Sequence, residues 1–223
     1  MEPPCGLGTR RFRPGALRGP IRQATTLNIA VLIGGNYSAN DPTTDAMVTI
    51  AVPVAGGLIC GGGTIDNSNS AGYLKGSALD PACFSFYVQY TKSGSNPQGS
   101  VQIFDRSYYK PDGTLDTVLH TYMFKSTSIS LLSVTPGISP TNSVAQFTSK
   151  ANVNEILPNG TQVSIEGNDV MQLTLTDGTP TNTATRTLGI TIQRTKGGTW
   201  YSSSWDGTKT VEKQVYSGNV SVK

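Results

Sequence analysis

Cysteine and histidine are scarce in this sequence, which limits the chemistry available to it. The 223 residues include three cysteines, Cys5, Cys60 and Cys83, and one histidine, His120. Three cysteines are too few for a disulfide scaffold, and their spacing is not that of zinc ligands. A single histidine also supplies a transition-metal site poorly. We therefore expect no metal site and no cofactor.

One disulfide is an open alternative. Cys60 and Cys83 can be bridged if the protein is exported to an oxidising compartment. A simple hairpin joining their two strands would not place them opposite each other, however, and only the geometry decides whether two cysteines can be joined. The sequence alone leaves this pair undecided.

Charged side chains are also few, at 14% of the chain. Residues 1–23 hold five arginines and one acidic residue, Glu2, which leaves 12 basic and 13 acidic side chains in the remainder. A nucleic-acid partner requires a basic face that neutralises phosphates, and a nearly neutral chain does not provide one. We expect no nucleic-acid partner.

Long apolar runs are missing. No stretch approaches the ~18 apolar residues that a membrane-spanning helix requires, so we expect no membrane span. The first 23 residues are rich in proline, glycine and arginine, and the apolar run that follows, LNIAVLI, is too short for a good signal-peptide core. We interpret residues 1–23 as a disordered or misassigned leader.

Alternation of apolar and polar residues is abundant, with turn residues between the alternating runs. ACFSFYVQY (82–90), VMQLTLTD (170–177) and RTLGITIQR (186–194) each place their apolar residues on one face of a strand. No stretch shows a sustained helical period with capping residues. The sequence predicts an all-β fold, an antiparallel β-sandwich with little or no helix.

A boundary is indicated near residue 56, where Pro53, Gly56 and Gly57 interrupt the strand pattern. The two apolar runs before it, 25–33 and 46–54, predict one long hairpin. A lone hairpin is marginal in water. It therefore either adds to the following sheet or is the end of a preceding sandwich domain.

The residues that could support catalysis do not form a convincing set. A Ser-His-Asp set needs His120 as its base, but this residue lies in an alternating strand pattern, which favours a packed or rim histidine. The glycine-rich CGGGTI (60–65) precedes no helix, which favours a close backbone approach or a bulge over a phosphate-binding loop. The carboxylates of a glycosidase would come from turns, where acidic residues are common: Glu155, Glu166, Asp169, Asp177 and Asp206. We predict no catalytic residues and no enzyme.

The segment GGTWYSSSWDGTKT (197–210) holds both tryptophans of the chain. Asp206-Gly207 is a preferred pair for a two-residue turn and predicts a tight hairpin. Strand alternation then places Trp200 in the core and Trp205 on the opposite face. Tyr201 shares that opposite face, so an exposed pair of rings, Tyr201 and Trp205, is one hypothesis for binding a carbohydrate.

The closing stretch GGTWYSSSWDGTKTVEKQVYSGNVSV (197–222) resembles the last segment of the post-COAP domain family. These are β-rich modules near the ends of large exported bacterial proteins that are built from immunoglobulin-like repeats. CGGGTI, ACFSFYVQY, FTSKANV (147–153) and DVMQLTLTD are similar to other blocks of the family in the same order. Cys60 and Cys83 depart from it, since they stand where Thr and Asn are expected.

The resemblance implies a domain organisation and a setting. Residues 56–223 are expected to be the β-sandwich module, and 24–55 the remnant of a preceding immunoglobulin-like domain. The implied function is that of a non-enzymatic structural or interaction module of an exported bacterial surface or extracellular protein. The expected partners are neighbouring domains of a larger parent protein or surface glycans.

Overall fold

The computed structural model describes residues 57–91, 96–135, 137, 142–178 and 186–223, together with the strand pairing of 25–29 and 46–50. The described residues form eleven strands and contain no helix. Their bounds are β1 Thr25–Ile29, β2 Ala46–Ile50, β3 Leu58–Ile65, β4 Ala82–Gln89, β5 Gln98–Tyr109, β6 Leu115–Thr135, β7 Val144–Ile156, β8 Gln162–Thr176, β9 Thr187–Gln193, β10 Thr199–Ser202 and β11 Lys213–Val222.

β1 and β2 pair antiparallel, from Thr25 opposite Ile50 to Ile29 opposite Ala46. The leader, residues 1–23, and the segment between these two strands lie outside the described residues. The origin of 24–55 in an immunoglobulin-like domain stays a prediction. No helix of the described residues is long and apolar enough to cross a membrane.

The other nine strands form one sheet whose hydrogen bonding closes on itself. Its order is β10-β9-β11-β3-β4-β5-β6-β7-β8, and β8 also pairs with β9. β9 can have three neighbours because its start pairs with β11 and its second half with β10, both on the side away from β8. All these pairs are antiparallel, which confirms the predicted all-β, antiparallel class. Division of this sheet into the two layers of a sandwich stays a prediction.

Apolar side chains on the inner face of this closed sheet form one core. The strand β4 shows the predicted alternation, since its residues are buried and exposed in turn along its whole length. Burial of one large apolar side chain stabilises a fold by about 1.5–3 kcal/mol. The largest fully buried side chains include Phe124, Phe147, Ile103, Leu173 and Tyr201.

The glycine run of β3 lies where two backbones approach closely. A Cβ on Gly61 would lie 2.7 Å from the carbonyl oxygen of Asn219 in β11 and 2.7 Å from Cζ of Phe86. A Cβ on the neighbouring Gly62 would meet only the carbonyl oxygen of Phe84, at 3.7 Å. The predicted close approach at CGGGTI is confirmed.

Candidate functional site

The connection between β3 and β4, residues 66–81, covers one end of the sheet and is called the β3–β4 loop. Its middle runs beside β10 like an added strand. Ala71 and Ser202 exchange two backbone hydrogen bonds, of 3.0 and 2.8 Å, and the N–H groups of Tyr73 and Leu74 donate to carbonyls of β10. The loop is therefore fixed by the backbone of the sheet as well as by its own side chains.

A buried polar network anchors the start of this loop. Tyr201 Oη donates to Oδ1 of Asn67 at 2.7 Å, and Nδ2 of Asn67 donates to Oδ1 of Asp105 at 2.7 Å and to the Asp80 carbonyl at 2.8 Å. The three side chains are 0, 2 and 1% exposed for Tyr201, Asn67 and Asp105. The network joins the start of the loop to its end, to β5 and to β10.

Asp105 is the one member of this network with a strongly altered charge state. Burial raises the pKa of Asp105 to about 8, and the hydrogen bond from Asn67 only partly opposes that rise. Its Oδ2 has no hydrogen-bond partner among the described residues. The carboxyl is therefore largely protonated at neutral pH, because an ionised group at this depth lacks solvation.

Asp105 is not among the site residues predicted from the sequence, although the alternation of β5 carries a signal for it. In β5, Val101 and Ile103 point inward, and Asp105 and Ser107 continue the same alternation into the core. A carboxylic acid in a row of inward-facing residues indicates a buried acid. Its partner Asn67 lies in a loop, where no periodicity predicts its position.

Two shallow grooves flank the tip of the loop, and we name each by its tyrosine. The Tyr108 groove has a volume of about 340 Å³ and lies between the loop and the β5–β6 hairpin. Apolar groups in its lining are Leu79, Tyr108 and Leu115, and polar groups include Ser68, Ser70 and Lys75. The Tyr216 groove, of about 340 Å³, is lined by Asp66, Ala78, Leu79, Pro81 and Tyr216.

Ala78 and Leu79 line both grooves and separate one from the other. Leu79 is 91% exposed, and Tyr216 and Leu115 on either side of it are 75 and 67% exposed. Large apolar side chains grouped at a surface in this way are typical of an interaction site.

Two acidic side chains near the grooves, Asp66 and Asp80, are paired with cations. Lys213 donates to Asp66 and lowers the pKa of that carboxyl. Arg106 pairs with Asp80 at 2.8 Å. The ammonium of Lys75, in contrast, forms no ion pair with the described residues and lies 4.7 Å from the ring centre of Tyr109. Lys75 thus brings to the Tyr108 groove an ammonium that is paired with no carboxylate of the described residues.

The predicted surface pair of rings, Tyr201 and Trp205, is not formed. Tyr201 is completely buried, with its ring stacked on Phe124 at a centroid distance of 5.6 Å. The hypothesis of an exposed Tyr201 is wrong because the face of β10 that carries it packs into the core. Trp205 is half-buried beside the loop, where its backbone N–H donates to the Asn69 carbonyl.

The other side of β10 is covered too, which confirms a core position for Trp200. This residue is 2% exposed. The guanidinium of Arg194 lies 4.5 Å from the Trp200 ring centre and 4.1 Å from that of Tyr73. Tyr73 meets the indole edge-on at 6.0 Å. The rings of Trp200 and Tyr201, on opposite faces of β10, are therefore both buried.

The turn after Trp205 is longer than predicted. Trp205 pairs with Thr210, which leaves four residues, 206–209, in the turn instead of two. Oδ1 of Asp206 accepts the backbone N–H groups of Lys209 and Thr208, each at 2.8 Å, and this lowers the pKa of Asp206. The Asp206 side chain thus stabilises a wider turn than the Asp-Gly pair alone suggests.

Cys60 and Cys83 do not form a disulfide. Cys60 lies opposite Tyr87, and Cys83 lies opposite Thr64, so the two cysteines are four positions apart along the β3–β4 pair. Four positions correspond to about 13 Å along a strand, beyond the ~7 Å Cα separation that a bridge allows. Both are free thiols, and Cys83 is exposed.

His120 is held between two carboxylates. Its Nδ1 lies 2.6 Å from Oε1 of Glu155, and its Nε2 lies 3.3 Å from Oδ2 of Asp116. Backbone donation from Thr117 is the main cause that lowers the pKa of Asp116 to about 2. Both ring nitrogens therefore have acidic partners, and the side chain packs in β6 as the alternation predicted.

The described part of the chain contains no group of three or more His, Cys, Asp or Glu side chains arranged to hold a metal ion. Comparisons of the chain with family models, with curated proteins and with solved structures gave no match. The function is therefore argued from the geometry of the β3–β4 loop.

Proposed function

We propose that this chain is a non-enzymatic interaction module of an exported bacterial surface or extracellular protein, and that it binds its partner through the β3–β4 loop. The observation that carries the proposal is the position of Leu79, almost fully exposed at the tip of a loop that hydrogen bonds hold in place. Contact of an apolar side chain with water is unfavourable, and a partner that covers Leu79 removes this contact.

The rigidity of the loop supports binding. Ser77 donates from its N–H to the Arg106 carbonyl at 2.6 Å and from its hydroxyl to Asp80 at 2.9 Å. Ser70 Oγ donates to the Gly76 carbonyl at 3.1 Å. A loop that is ordered before binding loses little conformational entropy when the partner arrives.

The surroundings of His120 support the non-enzymatic part of the proposal. A general base must have a free nitrogen within reach of the proton that it removes. Glu155 and Asp116 occupy both nitrogens of this residue. The resemblance to the post-COAP segment is the basis for the exported bacterial setting.

A sedimentation assay with labelled full chain and washed bacterial envelopes tests the proposal. Wild type is expected to sediment with the envelopes, and Leu79→Ser and Tyr216→Ser to stay in solution. Val144→Ser is the matched control, because Val144 is 41% exposed at the start of β7, away from the loop. Equal retention of Leu79→Ser and Val144→Ser would contradict the binding site. New reducing ends or peptides in the supernatant would contradict a non-enzymatic role.

A further inference from the structure

We propose that the Tyr108 groove binds an acidic oligosaccharide, with a uronate carboxylate at the Lys75 ammonium and a sugar ring against Tyr108. This inference rests on the proposed function, because it specifies the partner of the same loop. It places the carbohydrate site on residues other than Tyr201 and Trp205.

Charge selects an anionic ligand. Asp66 and Asp80 are each paired with a cation, and Asp105 beneath the groove is held largely neutral by burial. Lys75 is exposed and forms no ion pair with the described residues. A carboxylate that docks here meets an ammonium without an ion-pair partner among the described residues, and ammonium–carboxylate hydrogen bonds are about twice as strong as neutral ones.

The lining of the groove selects a sugar rather than an aliphatic acid. Tyr108 is 39% exposed and offers an aromatic surface for the C–H face of a sugar ring. Ser68 and Ser70 line the same groove. Each hydroxyl donates within the loop, to Asp66 and to the Gly76 carbonyl, and its oxygen can still accept a hydrogen bond from a ring hydroxyl. A site with an apolar wall and a few placed polar groups is the usual design of a small-ligand pocket.

Gly76 sets the shape of the groove floor. A Cβ on Gly76 would lie 2.4 Å from Cγ of Asn67 and 2.6 Å from Oδ1 of Asp105. Only glycine therefore fits at this position, and it brings the backbone of the loop directly onto the buried network. The ammonium of Lys75 is oriented in turn by the ring of Tyr109.

The arrangement of the two grooves favours an oligomer over a single sugar. They share Ala78 and Leu79, and the second groove presents Tyr216, a further exposed ring. A chain of sugars that fills the Tyr108 groove can continue over Leu79 toward Tyr216. Leu79 then packs against the ligand instead of water.

Isothermal titration calorimetry of the full chain tests this inference with two matched ligands, a tetragalacturonate and its fully methyl-esterified form. The ester keeps the rings and removes the charges. Wild type is expected to bind the acid about tenfold more tightly than the ester, because only the acid forms the charged hydrogen bond with Lys75. Lys75→Gln is expected to bind acid and ester alike, because it cannot form this bond with either ligand. Tyr108→Ala is expected to weaken both ligands equally.

Two control variants carry the same kinds of substitution, Lys to Gln and Tyr to Ala, elsewhere on the sheet. Lys125→Gln and Tyr87→Ala alter exposed residues of β6 and β4 and are expected to bind like wild type. Circular dichroism and the thermal midpoint establish that each variant is folded.

The inference would be overturned if wild type bound acid and ester with equal affinity, or if Lys125→Gln lost as much affinity for the acid as Lys75→Gln. It would also be overturned if wild type bound neither ligand. The envelope assay then separates the two claims. If envelope retention still depends on Leu79, only the ligand class is wrong; if retention is also absent, the proposed function fails.

Discussion

Tyr201 donates a hydrogen bond of 2.7 Å to Oδ1 of Asn67, although 134 positions separate the two residues in the chain. The bond ties β10, near the end of the sequence, to the first turn of the β3–β4 loop. Asn67 in turn holds Asp105 and the end of the loop at Asp80. The shape of the two grooves thus depends on one buried amide.

Replacement of that amide tests its importance. Asn67→Ala is expected to lower the free energy of unfolding by at least about 2 kcal/mol, because it leaves buried polar atoms of Tyr201 and Asp105 without partners. Asn69→Ala, an exposed neighbour in the same loop, is expected to change it by less than about 0.5 kcal/mol. Urea unfolding measures both, and similar losses in the two variants would contradict the assigned role.

Stability is expected to depend on pH through Asp105. The folded state keeps a proton on this carboxyl up to about pH 8, whereas an unperturbed aspartate, as in the unfolded chain, releases it near 3.8. Between these pH values the folded state binds more protons than the unfolded chain. The contribution of Asp105 to the free energy of unfolding is therefore fully present below about pH 3.8 and is lost as the pH rises toward 8. The full change is on the order of 6 kcal/mol at most.

Asp105→Asn isolates this contribution from the other titrating groups. The amide is neutral at every pH, so the difference in free energy of unfolding between wild type and variant carries the Asp105 term alone. Urea unfolding at pH 4.5, 6 and 8 is expected to show this difference change steadily in favour of the variant. A difference that is constant over this range would show that Asp105 is ionised in the folded protein.

Two adjacent glycines of β3 are expected to respond differently to the same substitution. Gly61→Ala places a methyl group 2.7 Å from both the Asn219 carbonyl oxygen and Phe86, and is expected to cost about 1–3 kcal/mol. Gly62→Ala meets its nearest atom at 3.7 Å and is expected to cost less than about 1 kcal/mol. Thermal melts compare them, and a reversed order would mean that β3 and β11 are not in the observed register.

Cys60 and Cys83 are expected to react as free thiols. Without reductant, iodoacetamide is expected to modify Cys83 first, because it is exposed, and the half-buried Cys60 more slowly. Mass spectrometry of peptides from the native protein measures each adduct. A Cys60–Cys83 disulfide-linked peptide would contradict the observed register of β3 and β4.

The fold class could be predicted because strand alternation is a local property of the sequence. In residues 82–89 the alternation of buried and exposed side chains is complete. The same alternation predicts the core position of Trp200. The hypothesis of an exposed Tyr201 fails because alternation distinguishes the two faces of a strand but not what covers each face. Both faces of β10 are covered: the Tyr201 ring stacks on Phe124, and Arg194 and Tyr73 pack against the Trp200 ring.

The candidate site could not be predicted, since it depends on contacts between distant parts of the chain. Leu79 and Lys75 lie in a loop without periodicity, and their neighbours Tyr108 and Tyr216 come from two separate strands. Only the closed sheet brings these residues to the same end. The predicted two-residue turn at Asp206-Gly207 is wrong for a related reason, because the Asp206 side chain stabilises a turn of four residues, 206–209.

The most direct test of the account is a ¹H–¹⁵N NMR titration of the full chain with tetragalacturonate. We predict chemical-shift changes centred on Lys75, Leu79 and Tyr108, extending to Tyr216, with the signals of Tyr87 unchanged. Changes centred on Trp205 or on Tyr87, or no changes at all, would contradict the assignment of the binding site to the β3–β4 loop.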